Sequence, residues 1–131
     1  MLFCLAYASL SRIPAASPEM LEIARTSLAR NPVLGLTGGL YFDGDQFYQV
    51  LEGTETAVQT LYAGIRRDGR HTSVQTLWDG PITRRRFGAW AMKFVDGSGR
   101  ATLLRPRFAL DAVLRADAEG QRRLIDTLAR A

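Results

Sequence analysis

Residues 34–53 read LGLTGGLYFDGDQFYQVLEG and contain the predicted hairpin of this chain. Its turn-forming centre, Asp43-Gly44-Asp45, separates two apolar runs, which is the pattern of a β-hairpin. The first run, residues 34–42, contains Gly38-Gly39, which predicts a break in its strand. The second run, residues 47–51, predicts the next strand.

Upstream of the hairpin, residues 2–9 alternate with apolar side chains on both faces, which predicts a central strand covered on both sides. Ser17-Pro18-Glu19 combines an N-cap, a proline at the first helical position and an acid in the first turn. The helix is expected to end at about Arg30, before Asn31-Pro32, because a residue before proline avoids the α region.

Downstream, Thr54 is predicted to cap a second helix that ends at Asp68-Gly69. Residues 74–78 and 90–95 predict a fourth and a fifth strand, with Trp90, Met92 and Phe94 on one face of the fifth. The order β-α-β-β-α-β-β predicts an α+β, ferredoxin-like fold with a five-stranded mixed sheet. Two helices on one face of this sheet would enclose a slot.

The remaining chain reads as an extension of this domain. We expect one domain over residues 1–95, followed by a linker and helical extension over 96–131, in which Asp96-Gly97-Ser98-Gly99 is the linker. Residues 108–115 and 121–130 predict short amphipathic helices on the sheet face opposite the slot. The apolar residues expected to pack there include Leu110, Leu114, Leu124 and Leu128.

Composition narrows the class of protein. A single cysteine and a single histidine exclude a disulfide framework and leave a structural zinc site without ligands. No apolar run approaches the ~20 residues of a membrane span, and the apolar N-terminus lacks a basic region, so we expect a cytoplasmic protein with no membrane partner. The net charge is +4, but the basic residues are scattered apart from Arg84-Arg85-Arg86, so we expect no nucleic-acid partner.

Two polar residues lie where the pattern calls for apolar ones. Gln49 shares a strand face with Phe47 and Leu51, and a buried amide left unpaired costs ~1–3 kcal/mol. Tyr7 lies on the first strand, which the β-α-β unit is expected to place parallel and adjacent to the third. Tyr7 and Gln49 can therefore be neighbours, and spacing alone leaves a purely structural hydrogen bond open.

Beyond this pair, residues 1–95 carry further motifs that resemble the BLUF family of flavin-binding blue-light sensors. The matching segments are Tyr7-Ala8-Ser9, Asn31, Leu36-Thr37-Gly38, Phe47-Tyr48-Gln49-Val50-Leu51-Glu52-Gly53, Asp68-Gly69-Arg70-His71 and Trp90-Ala91-Met92. Arg30, Gly69 and Ala91 depart from residues common in the family. The resemblance implies a photoreceptor, not an enzyme, that binds FAD non-covalently, with FMN and riboflavin left open.

The resemblance also implies roles for individual residues. Tyr7 would donate an electron and a proton to excited flavin. Gln49 would link Tyr7 to flavin N5 and the C4 carbonyl, and light would change its hydrogen bonds and shift absorption to longer wavelength. Asn31 and Arg70 would hydrogen-bond the ring, whereas Trp90 and Met92 would carry the signal outward.

The slot between the helices suits a flat ring. Ile23 and Ile65 could sandwich it, with Ser27 one turn after Ile23, although ordinary core packing explains such residues equally well. Asp68 and His71 flank Arg70, and a satisfied loop histidine is the favoured interpretation of His71.

Three other functions remain open at this point. An acylphosphatase-like hydrolase could use Arg12 and Asn31, but no glycine-rich anion cradle lies between them. An RRM-like nucleic-acid module needs exposed aromatic residues on one face, whereas Tyr7 and Tyr48 are expected to face opposite sides. A structural interaction domain is the third. For a photosensor of this length we expect signalling to a separate protein partner or through a homo-oligomer.

Overall fold

The computed structural model describes residues 1–98 and 108–131, so Gly99 of the predicted linker lies outside the described residues. The elements are β1 (Leu2–Ser11), α1 (Pro18–Val33), β2 (Thr37–Phe42), β3 (Gln46–Gly53), α2 (Glu55–Arg66), β4 (His71–Ile82), β5 (Lys93–Asp96), α3 (Leu110–Arg115) and α4 (Ala118–Arg130). The sheet order is β4-β1-β3-β2-β5. Only the β2–β5 pair is parallel, so the predicted α+β fold with a five-stranded mixed sheet is confirmed.

The direction predicted for β1 relative to β3 was wrong, although their adjacency was right. The two strands are antiparallel, with Tyr7 directly opposite Gln49. The crossover through α1 makes β1 parallel to β2, and the hairpin then returns β3 between them. A strand inserted in this way is antiparallel to both neighbours.

Gly38-Gly39 does not break the second strand, because β2 pairs with β3 continuously from Thr37 to Phe42. A Cβ atom on Gly38 would lie 2.0 Å from the carbonyl oxygen of Val50. Glycine at this position therefore permits the close approach of two backbones.

Both helix N-caps form as predicted, since Ser17 accepts from the amide of Met20 and Thr54 from that of Ala57. Helix α1 nevertheless continues past its predicted end, through Pro32 to Val33. The preceding-proline effect disfavours helix without forbidding it. Here Asn31 is held by tertiary contacts, and the helix ends where Gly35 takes a positive φ of 68°.

Each face of the sheet has its own apolar core. One packs against α1 and α2, and the other against α3 and α4, which confirms the predicted position of the C-terminal helices. Leu128 is fully buried and Leu110 and Leu124 are partly buried, but Leu114 is 39% exposed and was predicted wrongly. Val113 is instead the buried apolar residue of α3.

The fifth strand begins at Lys93, later than predicted, so Trp90 and Met92 precede it. They do not share a face: Trp90 is 49% exposed and Met92 2%. The chain turns before β5, where the amide of Trp90 donates to the carbonyl of Phe87. Within the described residues, no helix combines the length and apolar character needed to cross a membrane.

Candidate functional site

A cleft opens between α1 and α2 on one face of the sheet. It contains about 530 Å³ of space when the volume at its open mouth is included. It is lined by eight residues expected from the sequence: Tyr7, Ile23, Ser27, Gln49, Ile65, Asp68, Arg70 and His71. Thr26, Arg30, Leu40 and Phe47 complete the lining. Its aliphatic walls and polar edges fit a flat heteroaromatic ring.

Tyr7 and Gln49 meet at the base of this cleft. The Tyr7 hydroxyl donates to Gln49 Oε1 at 2.5 Å, and both side chains are at least 95% buried. Burial raises the pKa of Tyr7 above its ordinary value, because a phenolate would be poorly solvated there. The tyrosine is therefore a neutral phenol that donates to a carboxamide.

The other end of the amide contacts Met92. Gln49 Nε2 lies 3.7 Å from Met92 Sδ, and a thioether is a weak acceptor. Trp90 lies on the surface instead, with Lys93 Nζ 5.6 Å from its ring centroid. Of the two residues expected to relay a signal, the structure places Met92 beside the glutamine.

Asn31 is fully buried but does not line the cleft. Its Nδ2 donates to the carbonyl of Ala91 at 2.8 Å, and its Oδ1 accepts from Arg30 Nε and Nη2 at 3.3 and 3.2 Å. Arg30, noted from the sequence only as a departure from its family, faces the cleft instead. Burial lowers the pKa of Arg30. In the sequence, the position of Arg30 next to Asn31 was the only indication that it would line the cleft.

Arg70 and Asp68 form a paired edge of the cleft. Arg70 Nη2 donates to Asp68 Oδ2 at 2.5 Å, and Arg70 Nε donates to both carboxylate oxygens. These hydrogen bonds lower the pKa of Asp68 and raise that of Arg70. The charge of Arg70 is therefore largely balanced within the chain.

His71 is a satisfied histidine at the first position of β4. Its Nε2 lies 2.7 Å from the carbonyl of Ile65 and its Nδ1 lies 2.7 Å from Ser9 Oγ. A carbonyl accepts only, so Nε2 carries a proton, and in the neutral ring Nδ1 accepts from Ser9. Both nitrogens are thus occupied without a ligand.

Glu52 is a buried carboxylate whose role the sequence analysis missed. It accepts from the Thr37 hydroxyl and from the backbone amides of Arg86 and Phe87 at 2.7–3.0 Å. These bonds hold the segment that leads to Met92. Its position beside glycine at a strand end gave no sign of these partners, which lie 15, 34 and 35 positions away along the chain.

Tyr62 was also missed, because its spacing in α2 indicated ordinary core. Its ring centroid lies 5.3 Å from that of Tyr7, and its hydroxyl lies 2.8 Å from Thr76 Oγ1. Only the packing of α2 over β1 brings the two phenols together.

Taken together, a ferredoxin-like sheet, a cleft under two helices and a buried phenol–carboxamide pair at its base define a small α+β domain with a candidate ligand site. The family described as BLUF, sensors of blue-light using FAD, matches residues 2–93. The chain belongs to the BLUF family, and the domain is a blue-light photoreceptor.

Solved structures with this fold include BlrB, a BLUF protein in its dark state, at 34% identity and a TM-score of 0.80, covering 98% of this chain and 96% of that one. BlrP1 of Klebsiella pneumoniae, with FMN and cyclic diGMP, matches at 35% identity and a TM-score of 0.70, covering 98% of this chain and 34% of that one.

Among curated relatives, photoactivated adenylate cyclase subunit beta of Euglena gracilis is 40% identical over 78 residues, 59% of this chain. The match spans only 9% of that cyclase subunit. The blue light- and temperature-regulated antirepressor BluF of Escherichia coli is 38% identical, over 19% of its length. Nothing in these comparisons supports the hydrolase or RRM-like alternatives.

Proposed function

We propose that residues 1–95 bind FAD non-covalently in the cleft between α1 and α2 and report its excitation through Tyr7 and Gln49. The buried hydrogen bond between these two side chains, at the base of a cleft lined by aliphatic and polar side chains, carries the proposal. Ile23 and Ile65 would hold the ring faces, whereas Arg30, Ser27 and the Asp68–Arg70 pair would contact its edges. Bound flavin supplies visible absorption and, when excited, a strong one-electron oxidant.

Tyr7 is suited to give up an electron and a proton together. It is neutral, and its hydroxyl proton already points at Gln49 Oε1. A glutamine amide is both donor and acceptor, so two hydrogen-bond arrangements can be close in energy. Met92 sulfur holds the amide nitrogen only weakly, so rearrangement of Gln49 loses little hydrogen-bond energy at its nitrogen end.

Met92 and the segment leading into β5 would then relay the change outward. We propose that residues 96–131 act as a linker and helical extension, and that the output is a homo-oligomer interface or a separate protein partner rather than an enzymatic activity of this chain. Cytoplasmic residence without nucleic-acid or membrane partners belongs to the same proposal. Two cyclase relatives contain the matched region as only a part of a longer chain, which supports signalling from this domain to other domains.

A light-minus-dark absorbance spectrum of the purified chain tests this function. We expect a yellow protein whose flavin bands shift to longer wavelength in blue light and recover in darkness. Chromatography of the released flavin distinguishes FAD from FMN and riboflavin. A colourless protein that rejects all three flavins would contradict the proposal.

A further inference from the structure

Tyr62 is positioned as a redox neighbour of Tyr7. Among the described residues, the aromatic rings in contact with Tyr7 are those of Tyr62, at 5.3 Å between centroids, and His71, at 6.1 Å. Of these two, the phenol is the readily oxidised ring. Tyr41 and Tyr48 lie in the core on the opposite face of the sheet.

The two phenols differ in where their protons can go. Tyr7 is enclosed and donates only to Gln49, whereas Tyr62 shares a 2.8 Å hydrogen bond with the hydroxyl of Thr76, an exposed residue. The Arg66 guanidinium lies 5.5 Å from the centre of the Tyr62 ring. A nearby cation disfavours a positively charged ring, so loss of an electron from Tyr62 is favoured when its proton leaves too.

We propose that Tyr62 is a second oxidisable residue of the cleft, which returns an electron to light-oxidised Tyr7 and releases its own proton through Thr76. The proposal rests on the proposed function, because excited flavin is the oxidant of Tyr7. The step starts with Tyr7 one electron short and its phenolic proton shifted along the hydrogen bond to Gln49 Oε1.

One electron then passes from Tyr62 to Tyr7 and the proton returns from Gln49, which restores neutral Tyr7. The O–H bond of Tyr62 breaks, and a proton reaches water by way of the Thr76 hydroxyl. Tyr62 is left as a neutral phenoxyl radical. The electron that first left Tyr7 remains with its acceptor, and the released proton balances that charge. Since the oxidised site no longer touches Gln49, this route competes with the signalling route.

Trapped radicals test the proposal in the full chain loaded with FAD. Samples are frozen under blue light, and the tyrosyl radical is measured by electron paramagnetic resonance, with the red shift recorded on the same samples. Tyr62→Phe keeps the ring but removes the oxidisable hydroxyl. Thr76→Val, at an exposed site, removes the proton acceptor. Tyr48→Phe, in the opposite core, is the matched control.

We expect a trapped radical in the unaltered chain and in Tyr48→Phe, its loss in Tyr62→Phe and a reduced yield in Thr76→Val. The red shift should persist in all four proteins. Suppose that the red shift is present. An undiminished radical yield in Tyr62→Phe, or no radical in the unaltered chain, then overturns the role of Tyr62 and leaves the proposed function in place. If Tyr62→Phe fails to bind FAD, an unchanged radical yield in Thr76→Val overturns the role of Tyr62 instead. Absence of any red shift in the unaltered chain overturns the proposed function and this inference with it.

Discussion

Tyr7 and Gln49 show how burial gives two ordinary side chains a specific chemical relationship. On a surface, water would satisfy both the hydroxyl and the amide. In the core, each polar atom depends on the few partners within reach. Within residues 1–98 and 108–131, the hydroxyl has the amide oxygen as its partner, and the amide nitrogen has a thioether. This uneven pairing leaves the amide ready to exchange partners.

We expect Tyr7→Phe to retain FAD and lose the red-shifted state, because the substitution keeps the ring but removes the donor hydroxyl. Gln49→Leu should lose it too, since the exchangeable amide is gone. Light-minus-dark spectra measure both. Tyr48→Phe is the control, because Tyr48 adjoins Gln49 in β3 but packs in the opposite core. A normal red shift in either active-pair variant would show that the assigned role is wrong.

Buried acidic groups also make stability depend on pH. Burial raises the pKa of the Cys4 thiol from 9.0 to about 12. Above pH 9 the unfolded chain loses this proton while the folded chain keeps it, so the free energy of unfolding falls as pH rises towards 12. One such group contributes a slope of up to ~1.4 kcal/mol per pH unit. Tyr7 and Tyr48, whose pKa values burial also raises, act in the same direction.

Urea denaturation between pH 8 and 11 measures this slope. We expect Cys4→Ala to lower overall stability but to show a shallower fall above pH 9, since one proton fewer is retained on folding. Equal slopes in the two proteins would contradict this assignment.

At the scale of elements, the segment entering β5 connects both faces of the sheet. The Ala91 carbonyl accepts from Asn31, Met92 contacts Gln49, and Lys93 donates to the carbonyl of Ala129 at the end of α4. Successive side chains of an extended segment point to opposite faces. The cleft and the C-terminal helix are therefore linked through two adjacent residues, Met92 and Lys93.

Two glycines offer a matched test of how elements pack. Gly38→Ala should destabilise the protein by more than about 1 kcal/mol, because its new Cβ would overlap the Val50 carbonyl and separate β2 from β3. Gly64→Ala should stabilise it by ~0.5–1 kcal/mol, since helix α2 has open space there and alanine favours helix. Chemical denaturation measures the free energy of unfolding of both variants. An unchanged value for Gly38→Ala would contradict the predicted overlap with Val50.

For the whole molecule, the sheet is a central layer covered on both faces. The C-terminal helices dock mainly through apolar contacts, with the Phe108 ring stacked at 4.7 Å on Tyr41 and tilted at 4.9 Å against Tyr48. The Arg86–Asp126 ion pair, 2.6 Å long, adds a partly exposed link to α4, the kind that contributes only ~0–1 kcal/mol.

If output passes through a homo-oligomer, illumination should change the apparent mass of the FAD-loaded chain. Size-exclusion chromatography in darkness and under blue light measures this change. The Gln49→Leu protein is the control, because it should elute identically in both conditions. A monomer that ignores light would exclude assembly as the output and leave a separate partner.

Local sequence determined the elements themselves. Ser17 and Thr54 specify helix starts through their own side-chain oxygens, and Asp43-Gly44-Asp45 specifies the hairpin. Strand alternation likewise put Gln49 on the strand face that it shares with Phe47 and Leu51. Each of these features depends on residues a few positions apart, so the sequence could predict it.

The direction of β1 against β3, the late start of β5 and the exposure of Trp90 depend instead on how the whole chain packs. The same packing also turned Asn31 towards Ala91, brought Arg30 into the cleft and set Tyr62 against Tyr7. The contacts of Tyr7 with Gln49 and of Asn31 with Ala91 join residues 42 and 60 positions apart, where several arrangements satisfy the same local pattern. Packing and hydrogen bonding of the whole chain select one of them.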